Sequence, residues 1–169
     1  MTEHARGREA SSLAVVVGDD SPDASDALRA LVVKALHGAG EIVVKAPEIA
    51  DDLAARLAAG EPGARQGVAV LIAPVAGLRE ARPALGVWRH CLRGVPLGHE
   101  PLQVVFIWLT PRRTANPVLP SWARRALDDG KVVYHLKSAA TVQEALVAMG
   151  LDRSDDPRRS PSSRGWTRA

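Results

Sequence analysis

Residues 104–109 read Val-Val-Phe-Ile-Trp-Leu, an unbroken apolar run that ends at Thr110-Pro111. Crossing a bilayer as a helix takes about 18–20 apolar residues, so this run is far too short to span. Its β-branched and aromatic content and its length are those of a strand buried on both faces. Counted with Leu102-Gln103, it is the clearest strand in the chain. Residues 13–17 (Leu-Ala-Val-Val-Val) and 68–73 (Val-Ala-Val-Leu-Ile-Ala) repeat the pattern, and 84–89 is a fourth strand candidate.

The segments between these runs change period. Leu28, Leu31, Val32, Ala35 and Leu36 fall at i, i+3, i+4, i+7 and i+8, which is one apolar stripe on a helix. Ser21 or Ser25 can cap its start, and Gly38 and Gly40 close it. A second helix starts near Pro47, a good first-turn residue, and buries Ile49, Leu53 and Leu57 before Gly60. A short helix over 121–127 is entered through Pro120. Thr141 and Glu144 form a capping box for a last helix whose inner face is Val142, Ala145, Leu146 and Met149. Residues 130–137 are ambiguous, and Val132-Val133-Tyr134 favours a strand by propensity. Short apolar strands alternating with amphipathic helices argue for a layered α/β domain with helices covering a sheet. At 169 residues the chain suits one domain. Only 4% of residues are aromatic against 46% apolar, so the core is built of Ala, Val and Leu.

The sequence divides into a flexible tail at 1–12, a domain at 13–151 and a disordered basic tail at 152–169. The last carries five arginines and Trp166 against three aspartates, so it holds two of the net three positive charges. The domain is then near neutral, which speaks against nucleic acid as a partner. Cys91 is the single cysteine, which fits a reducing, cytoplasmic compartment. The N-terminus lacks an apolar signal core. Zinc-ligand spacing, a dinucleotide-binding glycine fingerprint and a serine-hydrolase elbow are all missing, and no cofactor is implied.

Several local patterns, in order, resemble the enzyme IIA domain of the fructose/mannitol (type 2) class of the bacterial phosphotransferase system, including its nitrogen-regulatory branch. Residues 28–40 look like that family's first helix and glycine exit. Ala54-Ala55-Arg56 followed by Gly60, Gly63 and Gly67 looks like its arginine and glycine-rich loop. Gly77-Leu78 and Ala84-Leu85-Gly86-Val87 look like the region after its active site. Gly94, the run 102–111 and the segment 138–149 look like its later turn, long strand and terminal helix. The resemblance implies a mixed, mostly parallel sheet with helices on both faces, and makes 131–137 a helix. It also implies a protein partner, either phosphocarrier-like or a permease or regulator.

The family writes Gly-x-Ala-x-Pro-His after its glycine loop, where this chain reads Gly67-Val68-Ala69-Val70-Leu71-Ile72. By this resemblance the phosphate-accepting histidine falls on Ile72 and the proline before it on Leu71. A phosphohistidine forms when a ring nitrogen attacks phosphorus with its lone pair, and isoleucine has none. The loop's usual Ser-Thr is Glu61-Pro62, which exchanges hydroxyl donors for a charge that repels a phosphoryl group. The glutamate after the arginine is Leu57, and a second histidine found in parts of the family falls near Asn116. Arg56, Leu71, Ile72 and Asn116 therefore define a remnant pocket, and the expectation is a non-catalytic binding or regulatory module.

Two alternatives stay open. An active phosphoryl carrier would need a displaced histidine, for which His90 at a strand end, His99 in a turn and His135 beside Tyr134 are the candidates; His37 reads as a helix-end residue favoured by the helix dipole. Alternatively, the chain is a small adaptor or assembly subunit, possible as a homodimer, with residues 68–71 and the strands of Trp88 and Trp108 supplying apolar contact surface.

Overall fold

The computed structural model describes residues 10, 12–60, 65–95 and 101–151. Apart from Ala10 and Ser12, both expected tails lie outside these residues, as do Glu61, Pro62 and His99. The strands are β1 (Ala14–Gly18), β2 (Val68–Val75), β3 (Arg82–Trp88) and β4 (Val104–Pro111). The helices are α1 (Ala24–Ala35), α2 (Ala46–Ala58), α3 (Ser121–Asp128), α4 (Gly130–Ser138) and α5 (Val142–Ala148), with a 3-10 turn over Gly40–Lys45 between α1 and α2.

The sheet order is β1-β3-β4-β2. β1 lies parallel to β3 with Ala14 opposite Ala84. β3 runs antiparallel to β4 with Ala84 opposite Ile107, and β4 lies parallel to β2 with Val104 opposite Val68. Two of the three pairings are thus parallel, as the mixed, mostly parallel sheet requires.

Period-two alternation sends the side chains into two separate cores. Ala69, Leu71, Ala84, Trp88, Val105, Ile107 and Leu109 meet α1, α2 and the 3-10 turn. Val15, Leu85, Val87, Val104, Phe106 and Trp108 meet α3, α4 and α5. The stripe expected on α1 is the buried one: Leu28, Leu31, Val32, Ala35 and Leu36 are all inside. Each such leucine contributes about 2 kcal/mol of apolar burial. On the opposite side Trp122 meets Phe106 edge to face, with ring centroids 6.0 Å apart at 81°.

Helix ends follow local chemistry. α1 is capped by Asp23, not by Ser21 or Ser25; its carboxylate accepts the Ser25 N–H at 3.4 Å, and a negative charge there also suits the helix dipole. Thr141 caps α5 by accepting the Glu144 N–H at 3.2 Å. Glu144 reaches back one residue further than a capping box requires, to the Ala140 N–H at 2.6 Å.

Two further expectations are corrected here. Residues 130–138 form α4, not a strand. Asp129 caps it by accepting the Lys131 N–H at 2.8 Å, and Val133 and Leu136 turn inward together. Three residues of strand preference are outweighed by a cap and a packed helical face. On that helix Tyr134 and His135 point outward, and both are exposed. The second correction concerns the apolar strands: Leu71, Trp88 and Trp108 are consumed by the protein's own cores, and supply no outward contact surface. Among the described residues no helix is long and apolar enough to cross a membrane.

Trp88 sets the packing on the α1 side. Its indole folds back over Gly86, so that a Cβ added there would stand 2.3 Å from Cη2, 2.5 Å from Cζ3 and 2.9 Å from Leu31 Cδ1. The same ring covers Gly18 of β1, where a Cβ would meet Cδ1 at 2.8 Å. Both glycines are required because they make room for the ring. Gly86→Ala is expected to destabilise the fold by about 1–3 kcal/mol through overpacking, measured as a lowered urea midpoint at constant slope.

Candidate functional site at the open edge of β2

β2 begins from a tight turn. The Arg65 N–H donates to the Val68 carbonyl at 2.9 Å and the Val68 N–H to the Arg65 carbonyl at 3.0 Å, while Gln66 and Gly67 both have positive φ, 56° and 75°. This is a type I′ geometry, which favours glycine. Gly67 is doubly constrained, because a Cβ would lie 2.9 Å from the Pro101 carbonyl oxygen. Its own carbonyl accepts the N–H groups of Gln103 and Val104, each at 3.0 Å. The last glycine of the loop therefore clamps the start of β2 to the start of β4.

From that anchor the strand alternates. Leu71 is fully buried toward α1 and α2. Ile72 points the opposite way and packs, half-buried, against the core under α3, α4 and α5. The two central positions of the expected pocket therefore open onto different faces of the sheet.

Arg56, in the last turn of α2, reaches neither side chain. Its Nη1 donates to the backbone carbonyl of Ile72 at 2.8 Å, on the edge of β2 that has no neighbouring strand. Pro74 on the same strand fits this edge, since it has no N–H to leave unpaired. The other edge strand is treated alike: Lys34 of α1 donates its Nζ to the Val15 carbonyl of β1. A basic side chain from a covering helix thus occupies one carbonyl on each open edge, which blunts edge-to-edge pairing.

The remaining candidates are dispersed. Asn116 is exposed, with φ 52°, in the loop after β4, and among the described residues no hydrogen bond joins it to Arg56 or Ile72. Ile72 is level with Trp108 and, across β4, with Pro83. His90 lies exposed beyond the far end of β3. At about 3.3 Å per residue, the stretch from Pro83 to His90 spans roughly 20 Å. His135 stacks edge-on against Tyr134 at 5.7 Å on the outer face of α4. His99 lies outside the described residues. Among the described residues no group of three or more His, Cys, Asp or Glu is placed to hold a metal ion.

Two polar groups that sequence reasoning did not single out lie on the same side of the sheet as the Ile72 side chain. Thr110 is 2% exposed and opposite Pro74, and alternation puts its side chain on the same face as Ile72 and Trp108. Among the described residues, neither its hydroxyl nor the Trp122 Nε1, both buried, has a hydrogen-bond partner. A threonine closing an apolar run was the visible signal for the first; the second had none.

No family model matches the chain, and no curated protein matches it in sequence. Solved structures do match. The nitrogen regulatory protein IIA-Ntr from Neisseria meningitidis superposes with a TM-score of 0.59 at 16% identity, over 86% of this chain and 99% of that one. A protein assigned as a PTS IIA, PtxA, from Streptococcus mutans gives 0.60 at 16% identity, over 95% and 100%. The fold is that of a phosphotransferase-system enzyme IIA domain. At this identity the likeness is one of fold alone, and it agrees with the α/β architecture. On this IIA-type scaffold Arg56 has a structural task that needs no phosphoryl group. Arg56→Ala is expected to cost about 1–2 kcal/mol of stability through the lost charge-assisted hydrogen bond, with the folded circular dichroism spectrum retained. Arg56→Lys, which keeps one donor, should recover part of that loss in the same urea titration.

Proposed function

We propose that this protein is a binding or regulatory module on an enzyme IIA scaffold, acting in the cytoplasm, that accepts no phosphoryl group. The observation that carries this reading is the pair Ile72 and Arg56. A hydrocarbon stands where the resemblance places the phosphate-accepting imidazole, and the neighbouring guanidinium already donates to that residue's own carbonyl at 2.8 Å. Electrostatic stabilisation of a transferring phosphoryl group needs cationic donors aimed at the reacting atoms. Here the nucleophile is gone and the donor is engaged with backbone. Glu61, beside the same loop in sequence, adds a negative charge unfavourable to an incoming phosphate.

Two further observations support a regulatory rather than a carrier role. His90 lies exposed beyond the end of β3 and His135 is exposed on the outer face of α4, positions that speak against either ring replacing the missing one. The Neisseria neighbour is itself described as a nitrogen regulatory protein. A scaffold of this kind keeps a docking surface for a protein partner while transmitting no phosphate.

The test is incubation of the purified chain with phosphoenolpyruvate, enzyme I and the histidine phosphocarrier, followed by intact mass measurement. No mass gain is expected. An acid-labile gain of one phosphoryl group would overturn the reading, and substituting His90, His99 and His135 singly would then locate the carrier.

A further inference from the structure

Beyond β2, the C-terminal end of α1 borders two adjoining hollows. One, of about 800 Å³, lies between the 3-10 turn and the loop joining β2 to β3, with Ile42 and Leu78 as its apolar floor. The other, of about 540 Å³, lies between α1 and the start of β1. Arg82, the first residue of β3, lines both.

Arg82 is the informative side chain. It is half-buried, yet among the described residues its guanidinium forms no side-chain hydrogen bond and no ion pair; the ion pairs formed among them are Arg29 with Asp51 and Arg89 with Asp19. A guanidinium carries five N–H donors in a rigid fork suited to a carboxylate. Arg79 and Lys45, also on the larger hollow, are likewise outside any ion pair, against Glu41 and Glu80 as the acids there. The smaller hollow adds Lys34 and His37 and no acid. Apolar side chains stand exposed on the rims: Val44 at 84% and Val33 at 45%.

We propose that this double hollow is a docking groove for an extended acidic segment of a partner protein, with its carboxylates on Arg82 and Arg79 and its apolar residues against Val44 and Val33. Charge complementarity selects the occupant. The interleaved Glu41 and Glu80 repel a continuous phosphate backbone, and a few cations fall short of what nucleic acid needs. Arg82 lines both hollows, so one extended chain lying across it can reach the cations of each. Spaced carboxylates on an extended chain match spaced cations, and alternate side chains reach the apolar rims. This surface is separate from Ile72, so the absence of phosphotransfer and the presence of this groove are decided by different measurements.

The experiment titrates the full chain into a fluorescein-labelled peptide of alternating leucine and glutamate, and into its leucine–glutamine counterpart, reading anisotropy at low salt. The glutamate peptide should bind about tenfold more tightly than the glutamine peptide, and Arg82→Gln or Arg79→Gln should remove most of that difference. Val44→Ser, at a position too exposed to affect folding, should weaken binding severalfold. The double change Arg124→Gln, Arg125→Gln on α3 should leave it unaltered. Equal binding of the two peptides, absence of saturable binding, or an equal loss in the α3 variant would overturn the proposal. If Arg82→Gln fails to fold, Arg79→Gln and Val44→Ser decide it.

Discussion

Strand β4 carries the architecture. It pairs with β3 on one side and β2 on the other, and its side chains from Val104 to Leu109 are buried on both faces. Val105, Ile107 and Leu109 belong to the core under α1 and α2, and Val104, Phe106 and Trp108 to the core under α3, α4 and α5. A residue inserted in this strand would shift every later side chain to the opposite core, because the side-chain period is two. The antiparallel step between β3 and β4 also lets two parallel pairs share one sheet. It sets the C-terminal ends of β2 and β4 beside the N-terminal ends of β1 and β3, and the loop that leaves β2 there forms one wall of the Arg82 groove.

That geometry explains why the expected remnant pocket does not assemble as a pocket. Consecutive strand residues point to opposite faces, so Leu71 and Ile72 cannot line one cavity with their side chains. Arg56 approaches from α2, on the side of the sheet away from the Ile72 side chain, and meets the open edge of the strand. Its bond to the Ile72 carbonyl has the form of the bond from Lys34 to Val15 on the other edge. Both bonds stabilise an unpaired carbonyl, and both cover an edge that would otherwise be available for pairing.

Much of the fold was legible in the chain itself. The run 104–109, the stripe from Leu28 to Leu36 and the Thr141–Glu144 signal each act over a few residues through burial period or a local hydrogen bond, and each became the element expected. Over 130–138 local propensity and the family resemblance disagree: Val132, Val133 and Tyr134 carry a weak strand preference, and the resemblance makes 131–137 the helix that forms. That helix rests on Asp129 as a cap and on Val133 and Leu136 meeting the sheet, and the second of these is a tertiary fact. Ser21 and Ser25 are suitable caps for α1 by residue type, yet Asp23 caps it; both residue types supply a suitable oxygen, and only the path of the chain decides between them. The tryptophans showed the limit of composition, since apolar strand residues serve a core or an interface equally well until the layers are known.

By itself the sequence determined the chemistry that position 72 can perform: an isoleucine offers phosphorus no lone pair, whatever surrounds it. It also determined the number of strand-length runs and which helix faces are apolar, because these depend on residue type and spacing alone. Only the tertiary structure decided where Arg56 spends its hydrogen bond, that Gly86 and Gly18 exist to admit the Trp88 ring, and that Arg82 is left half-buried with its donors unclaimed among the described residues. Those outcomes depend on which segments the sheet order brings together, and contacts between residues far apart in the chain leave no local pattern to read.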